Sequence, residues 1–230
     1  MNLLILPAAG SGARLGRSGP KALVPVLGRP MLFWALDALS LIPFGRVVVV
    51  APSDRTAEFE KLLRGRAAVV AGGPTRSSSV RRGFEACGAE PSDLVCIHDA
   101  ARPLISPEEA KAVLAAAEDS GAATAATPIV DTVKRVEGER IVATIEREGL
   151  YAAGTPQAFR ADLLRRAFDT GREATDEAGL LELLGVPVTA VPVSRWNLKI
   201  TTEEDLELAE ALLKRRGTLR PSEPPEESSR

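Results

Sequence analysis

Short apolar runs rich in β-branched residues alternate along this chain with segments of helical period, and that alternation limits the fold more than any other feature. The runs fall at 2–6, 46–51, 67–70, 94–98, 122–127 and 188–193, with helical-period segments at 31–41, 56–63, 79–87 and 107–119. Strands separated by helices in this way predict an α/β fold, a mostly parallel sheet flanked by helices on both faces. A chain of 230 residues is long enough for one such domain with a full core. Two helix starts are written out locally. Ser106-Pro107-Glu108-Glu109 reads as an N-cap, a proline at the first helical position and a capping glutamate. Thr202 with Asp205 repeats the device ahead of the apolar stripe Leu206, Ala209, Leu212 and Leu213.

One stretch departs from the alternation. Residues 131–153 offer strand-like pieces at 132–136, 141–145 and 150–153 around the turn Glu137-Gly138-Glu139, which predicts a protruding β-arm. Helices are expected again near 160–170 and 176–184. We expect a single domain over 1–215, with the polar, proline-rich residues 216–230 forming a disordered tail. A net charge of -2 gives no electrostatic footprint for nucleic acid or an anionic membrane. Cys87 and Cys96 lack the spacing of a disulfide framework or a zinc site, so a reducing, cytoplasmic setting is expected. The apolar start Leu3 to Leu6 has no basic leader and runs into Pro7, too short for a signal peptide or a membrane span.

The first strand opens into Pro7-Ala8-Ala9-Gly10-Ser11-Gly12-Ala13-Arg14-Leu15-Gly16, a small-residue loop where open α/β sheets bind ligands. Small residues let backbone amides face phosphate oxygens closely. The loop lacks the Gly-Lys-Ser/Thr of a P-loop and the glycine spacing of a dinucleotide fold, which disfavours a nicotinamide oxidoreductase. Alone it is equally readable as a tight turn. Arg14 and Lys21 add two cations suited to a triphosphate, against the alternative of a solvated surface pair. Only six of the 29 basic residues are lysines, which makes Lys21 and Lys199 less readily background.

Gly72-Gly73-Pro74-Thr75-Arg76-Ser77-Ser78-Ser79-Val80 reads either as a pocket for a base and ribose or as a helix N-cap. In Ile97-His98-Asp99-Ala100-Ala101-Arg102-Pro103, Asp99 is placed to take Mg²⁺ and Arg102 to meet a second phosphorylated substrate; a structural Asp-Arg pair is the alternative. His98 is the single histidine, read as packed rather than as a base, since a phosphate monoester with a second pKa of about 6 is already ionised at neutral pH. Lys199, in Trp196-Asn197-Leu198-Lys199, can return to the same cleft, or lie on the surface ahead of a helix cap. Thr175-Asp176-Glu177-Ala178 reads as a capped helix start.

Assembled, these segments resemble the 2-C-methyl-D-erythritol 4-phosphate cytidylyltransferases of the non-mevalonate isoprenoid pathway. PAAGSGARLG with PKA, GGPTRSSSV, IHDAARP, DTVKR, EREGLYAAGTPQAF, ATDEAGLLELLG and NLKITTEEDLELAE occur in family order over about residues 2–213. The resemblance implies a fold of the nucleotide-diphospho-sugar transferase type, CTP with Mg²⁺, and a homodimer joined through the β-arm. It implies that Arg14, Lys21 and Lys199 stabilise the α-phosphate and that Ala8, Ala9, Gly10, Gly12, Gly73, Ser79 and Asp99 contact the nucleotide or its metal. By the same resemblance Thr132, Arg147 and Thr155 bind methylerythritol phosphate, the first two from the partner's arm, with Arg102 and Thr175 on the same side. Ala22 stands where the family usually has glutamine, so any contact of that glutamine is missing. Ribitol 5-phosphate as acceptor, and a non-catalytic nucleotide-binding regulator on the same scaffold, are the competing expectations.

Overall fold

The computed structural model describes residues 1–12, 15–16 and 19–217. In chain order the elements are β1 (Asn2–Pro7), β2 (Pro25–Val26), β3 (Arg29–Pro30), α1 (Met31–Leu39), β4 (Arg46–Ala51), α2 (Thr56–Leu63), β5 (Ala68–Ala71), α3 (Arg76–Cys87) and β6 (Leu94–Ile97). There follow α4 (Pro107–Ser120), β7 (Ala122–Pro128), β8 (Val133–Glu137), β9 (Arg140–Ile145), β10 (Tyr151–Arg160), α5 (Ala161–Asp169), α6 (Glu177–Glu182), β11 (Thr189–Pro192) and α7 (Glu203–Arg215).

Seven strands form the main sheet in the order β11-β7-β10-β6-β1-β4-β5. All neighbours pair in parallel except β10, which runs antiparallel to both β6 and β7. Successive residues of β1 serve opposite faces, as a period of two requires. Leu4 and Leu6 join α1, α2 and α4 through Leu36, Phe59 and Val113, while Leu3 and Ile5 join α3, α5 and α6 through Phe84, Leu164 and Leu181. Side chains such as Phe59, Phe159 and Leu63 are fully buried, each contributing about 1.5–3 kcal/mol in burial alone. A third cluster packs α7, through Leu206 and Ala209, against Val24, Val26 and Leu104.

The caps at Ser106 and Thr202 form as their sequences predict: each hydroxyl accepts from the amide three residues on, and Glu109 and Asp205 reach back. Two expectations are corrected. Helix α3 begins at Arg76 rather than near 79, because Thr75 caps it with Ser78 as its reciprocal partner. Residues 151–153 are the start of the ten-residue strand β10, which fills the slot between β6 and β7, rather than a third piece of an arm. Strands β8 and β9 make a separate antiparallel ribbon, largely exposed, with Val136, Ile141 and Val142 open to solvent.

Candidate functional site

A cavity of about 540 Å³ opens at the carboxyl ends of β1, β5 and β6, where crossing loops in a parallel sheet leave room for ligands. Ala8, Ala9, Gly10 and Gly12 of the first loop line it, together with Lys21, Gly73, Ser79, Asp99 and Lys199. Arg14 lies outside the described residues. The first loop folds back on the Gly19-Pro20-Lys21 segment: the Lys21 amide donates to the Gly10 carbonyl at 3.0 Å and the Gly12 amide to the Gly19 carbonyl at 3.0 Å. That pairing carries the Lys21 backbone to the cavity wall. Ser79 is nearly buried, accepts from the Gly73 amide at 3.0 Å and donates to the Thr75 carbonyl at 2.8 Å, so it shapes the second glycine turn.

The two glycine loops touch at Gly72. A Cβ there would sit 2.7 Å from the Cβ of Ala9 and 3.1 Å from the Ala51 carbonyl oxygen, both rigid neighbours. Gly72→Ala is therefore expected to lower the unfolding free energy by about 1–3 kcal/mol, the usual penalty of overpacking. Urea denaturation measures it, and a change of only a few tenths would mean that the loops part without resistance.

Asp99 is the electrostatic centre. Its carboxylate receives Lys199 Nζ at 2.8 Å and Arg76 Nε at 3.3 Å, with Arg102 Nε 3.9 Å away. Burial opposes its charge, but Arg76, Lys199 and Arg102 together outweigh it and hold the carboxyl well below the ordinary carboxylate range. Arg76 also grips Glu177 with one nitrogen, at 3.0 and 2.7 Å from its two carboxylate oxygens. Glu177 is fully buried, and burial drives its pKa up despite Arg76, whose own pKa is raised because the two carboxylates exceed the effect of its burial. Sequence reasoning missed both residues. The signal was present: Glu177 lies at the head of the apolar spacing Leu180, Leu181, Leu184, and Arg76 at the head of Ser79, Val80, Gly83, Cys87, so each charge falls on a buried stripe.

Arg102 is the third cation beside Asp99. The Arg102 guanidinium lies against Gly154, where a Cβ would come within 3.2 Å of its Cζ. Its Nη1 donates to the Asn197 carbonyl at 2.7 Å, and its buried Nε has no hydrogen-bond partner. Thr155, on β10, is nearly buried beside it, and the Asn197 amide donates to the Thr155 carbonyl at 2.8 Å. His98 is fully buried, and burial pushes its pKa down to about 4 against the favourable Arg102 carbonyl and Asp99 charge. Thr132, Arg147 and Thr175 are exposed and do not line the cavity. Arg147 donates to the Val130 carbonyl near the base of the β8–β9 ribbon.

The cavity thus pairs an amide-rich wall with two lysines and a single lining carboxylate, a combination suited to a polyphosphate and to charge developing on phosphorus. The family model for 2-C-methyl-D-erythritol 4-phosphate cytidylyltransferase matches residues 2–215. Among curated relatives, the enzyme of that name from Frankia casuarinae is 46% identical over 215 residues, covering 92% of this chain and 80% of its own length. Its counterpart from Deinococcus radiodurans is 46% identical, covering 90% of this chain and 88% of itself. The crystal structure of the Thermus thermophilus enzyme superposes with a TM-score of 0.77 at 37% identity, covering 92% of this chain and 98% of that one.

Proposed function

The chain belongs to the 2-C-methyl-D-erythritol 4-phosphate cytidylyltransferase family, and from that membership together with the cavity we infer what it does and which residues do it. It transfers CMP from CTP to 2-C-methyl-D-erythritol 4-phosphate. The acceptor's phosphate oxygen attacks the α-phosphorus in line, the bond to the β-phosphate breaks, and pyrophosphate leaves. Lys21 and Lys199, both lining the cavity, carry the reading, with Arg14 as a third cation: each neutralises charge gathering on the α-phosphate, and no covalent enzyme intermediate is required. Ala8, Ala9, Gly10, Gly12, Gly73 and Ser79 hold the nucleotide, and Arg102 takes the acceptor's phosphate with Thr155 beside it and Thr175, exposed and outside the cavity lining, as a further acceptor contact. The attacking phosphate is already ionised near neutral pH, its second pKa being about 6, so His98 has no proton to remove.

Mg²⁺ fits this site as an ion brought in by the nucleotide. Among the described residues Asp99 is the one carboxylate lining the cavity, and no group of three or more His, Cys, Asp or Glu side chains is arranged to hold a metal. A small hard cation bound by one carboxylate and the triphosphate's own oxygens matches that donor set. Bound, it would neutralise phosphate charge as pyrophosphate departs.

The catalytic domain spans 1–215, with the β8–β9 ribbon reaching a second copy as a β-arm. Thr132 and Arg147, which do not line their own cavity, then serve the partner's, and the exposed Val136, Ile141 and Val142 on the ribbon supply apolar contact area. The free, buried cysteines suit a cytoplasmic setting. Pyrophosphate release from CTP and Mg²⁺ is the test, with 2-C-methyl-D-erythritol 4-phosphate and ribitol 5-phosphate offered separately. Turnover is expected with the first alone; turnover with ribitol 5-phosphate only would keep the chemistry and change the acceptor. Light scattering of the same sample should give twice the chain mass.

A further inference from the structure

His98 immediately precedes the turn that carries Asp99 and Arg102, and both of its ring nitrogens are engaged inside the fold. Nε2 lies 3.0 Å from the Arg102 carbonyl oxygen. A carbonyl only accepts, so the ring proton sits on Nε2 and Nδ1 is left as an acceptor. The neighbour of Nδ1, at 3.2 Å, is the Thr155 hydroxyl, which must then donate to it. That hydroxyl oxygen accepts from the Asp99 amide at 3.0 Å, and the Arg102 amide donates to the Asp99 carbonyl at 2.9 Å.

The four bonds close a ring with one sense of donation: Asp99 to Thr155, Thr155 to His98, His98 to Arg102, Arg102 to Asp99. His98, Thr155 and Asp99 are at most 7% exposed, so water does not compete for these bonds and each polarises the next. The ring joins the end of β6 to β10, two elements that lie far apart in sequence. Asn197 braces it from outside, through the Thr155 carbonyl on one side and the Arg102 guanidinium on the other.

We propose that His98 is a positioning residue: through the Thr155 hydroxyl and the Arg102 carbonyl it fixes the turn that presents the Asp99 carboxylate to Lys199 and the Arg102 guanidinium to the acceptor's phosphate. The proposal rests on the reading of Arg102 as the acceptor-side cation. It also refines the part of Thr155, whose only hydroxyl hydrogen goes to His98; toward a substrate hydroxyl it can act solely as an acceptor.

Three variants separate the two halves of the ring. In His98→Asn the side-chain oxygen can replace Nδ1 and accept from Thr155; in His98→Gln the amide nitrogen can replace Nε2 and donate to Arg102; His98→Leu does neither. His98→Leu is expected to raise the acceptor KM and to lower kcat, each by about tenfold, as misplaced groups do, while the Kd for CTP stays within about threefold. His98→Gln should recover the acceptor KM and His98→Asn should recover kcat. Should His98→Leu not fold, the opposite signatures of the Asn and Gln variants carry the comparison. Parameters for both substrates that worsen together in proportion to lost thermal stability, or a His98→Leu enzyme equal to wild type, overturn the proposal. Arg102→Ala tests the premise separately. If it leaves the acceptor KM unchanged, Arg102 is misassigned and kcat alone decides: lowered in Leu and restored in Asn upholds the positioning role, and unchanged kcat rejects it.

Discussion

Lys199→Ala is expected to lower kcat by about 10²–10³-fold, the usual effect of deleting one preorganised donor from a charge-stabilising site, while leaving the melting temperature almost unchanged. The separation of the two effects follows from where the lysine sits. Its side chain is 37% exposed and its ammonium rests 2.8 Å from Asp99 Oδ2. In the folded, ligand-free protein it therefore makes one partly solvated ion pair, worth at most about 1 kcal/mol. Removing it leaves Asp99 still held by Arg76 at 3.3 Å. At the α-phosphorus, in contrast, charge accumulates in a cavity from which substrate excludes water, and there a fixed ammonium contributes several-fold more than it does in solvent. Lys199→Arg should not restore the rate, because a planar guanidinium on a longer stem cannot place a point charge at the same spot. Steady-state kinetics with saturating CTP decide the matter; a fall of less than fivefold would remove Lys199 from the chemistry.

Arg76→Met is expected to cost about 3–5 kcal/mol of stability, the range for breaking a buried ion pair from one side. The arginine is the partner that cannot be spared, because Glu177 is fully buried while Arg76 keeps some contact with solvent. For a protein of this size each kcal/mol moves the melting temperature by about 2–4 °C, so a drop on the order of 10 °C should be visible by calorimetry. The pH dependence has a definite sign. Burial already raises the Glu177 pKa, and loss of Arg76 removes the main influence lowering it. A carboxyl whose folded pKa exceeds its unfolded value favours the folded state below the unfolded pKa, and that advantage disappears as pH rises through the folded one. The penalty of Arg76→Met should therefore be smaller near pH 5 than near pH 8. Adding Glu177→Met should recover most of the lost stability, since two apolar side chains replace a buried pair at little net cost. A single-variant loss below about 1 kcal/mol would contradict the buried pairing.

Much of the frame was legible because it is written locally. The buried strands β1, β4 and β6 read as β-branched or leucine runs, and the caps at Ser106 and Thr202 lie within four residues of the helices they start. The glycine loops and the Ile97 to Pro103 segment were legible too, and the fold brings them to one cavity. What escaped notice depends on residues distant in sequence. β10 contains Gly154 and Pro156, which read as punctuation in a single sequence; only its neighbours β6 and β7 make it a central strand. The pairing of Arg76 with Glu177 spans 101 positions, and no local rule connects them. His98 reads as packed and is fully buried, yet its partners cannot be named without knowing where β10 runs.

The placement of β10 also has a consequence for how the chain is made. A ribosome completes β6 and β7 well before β10, yet the two strands never touch, because the later strand lies between them. Roughly 60 residues separate the end of β6 from the end of β10, which at about 5–20 residues per second amounts to some 3–12 s of synthesis. During that interval the nascent chain holds one unfinished four-stranded half-sheet, β6-β1-β4-β5, and a lone β7, because β11 follows β10 in the chain; the open β6 edge is able to recruit a foreign strand. The β8–β9 ribbon is translated within this window, pairs only with itself, and so occupies the wait without closing the gap too early.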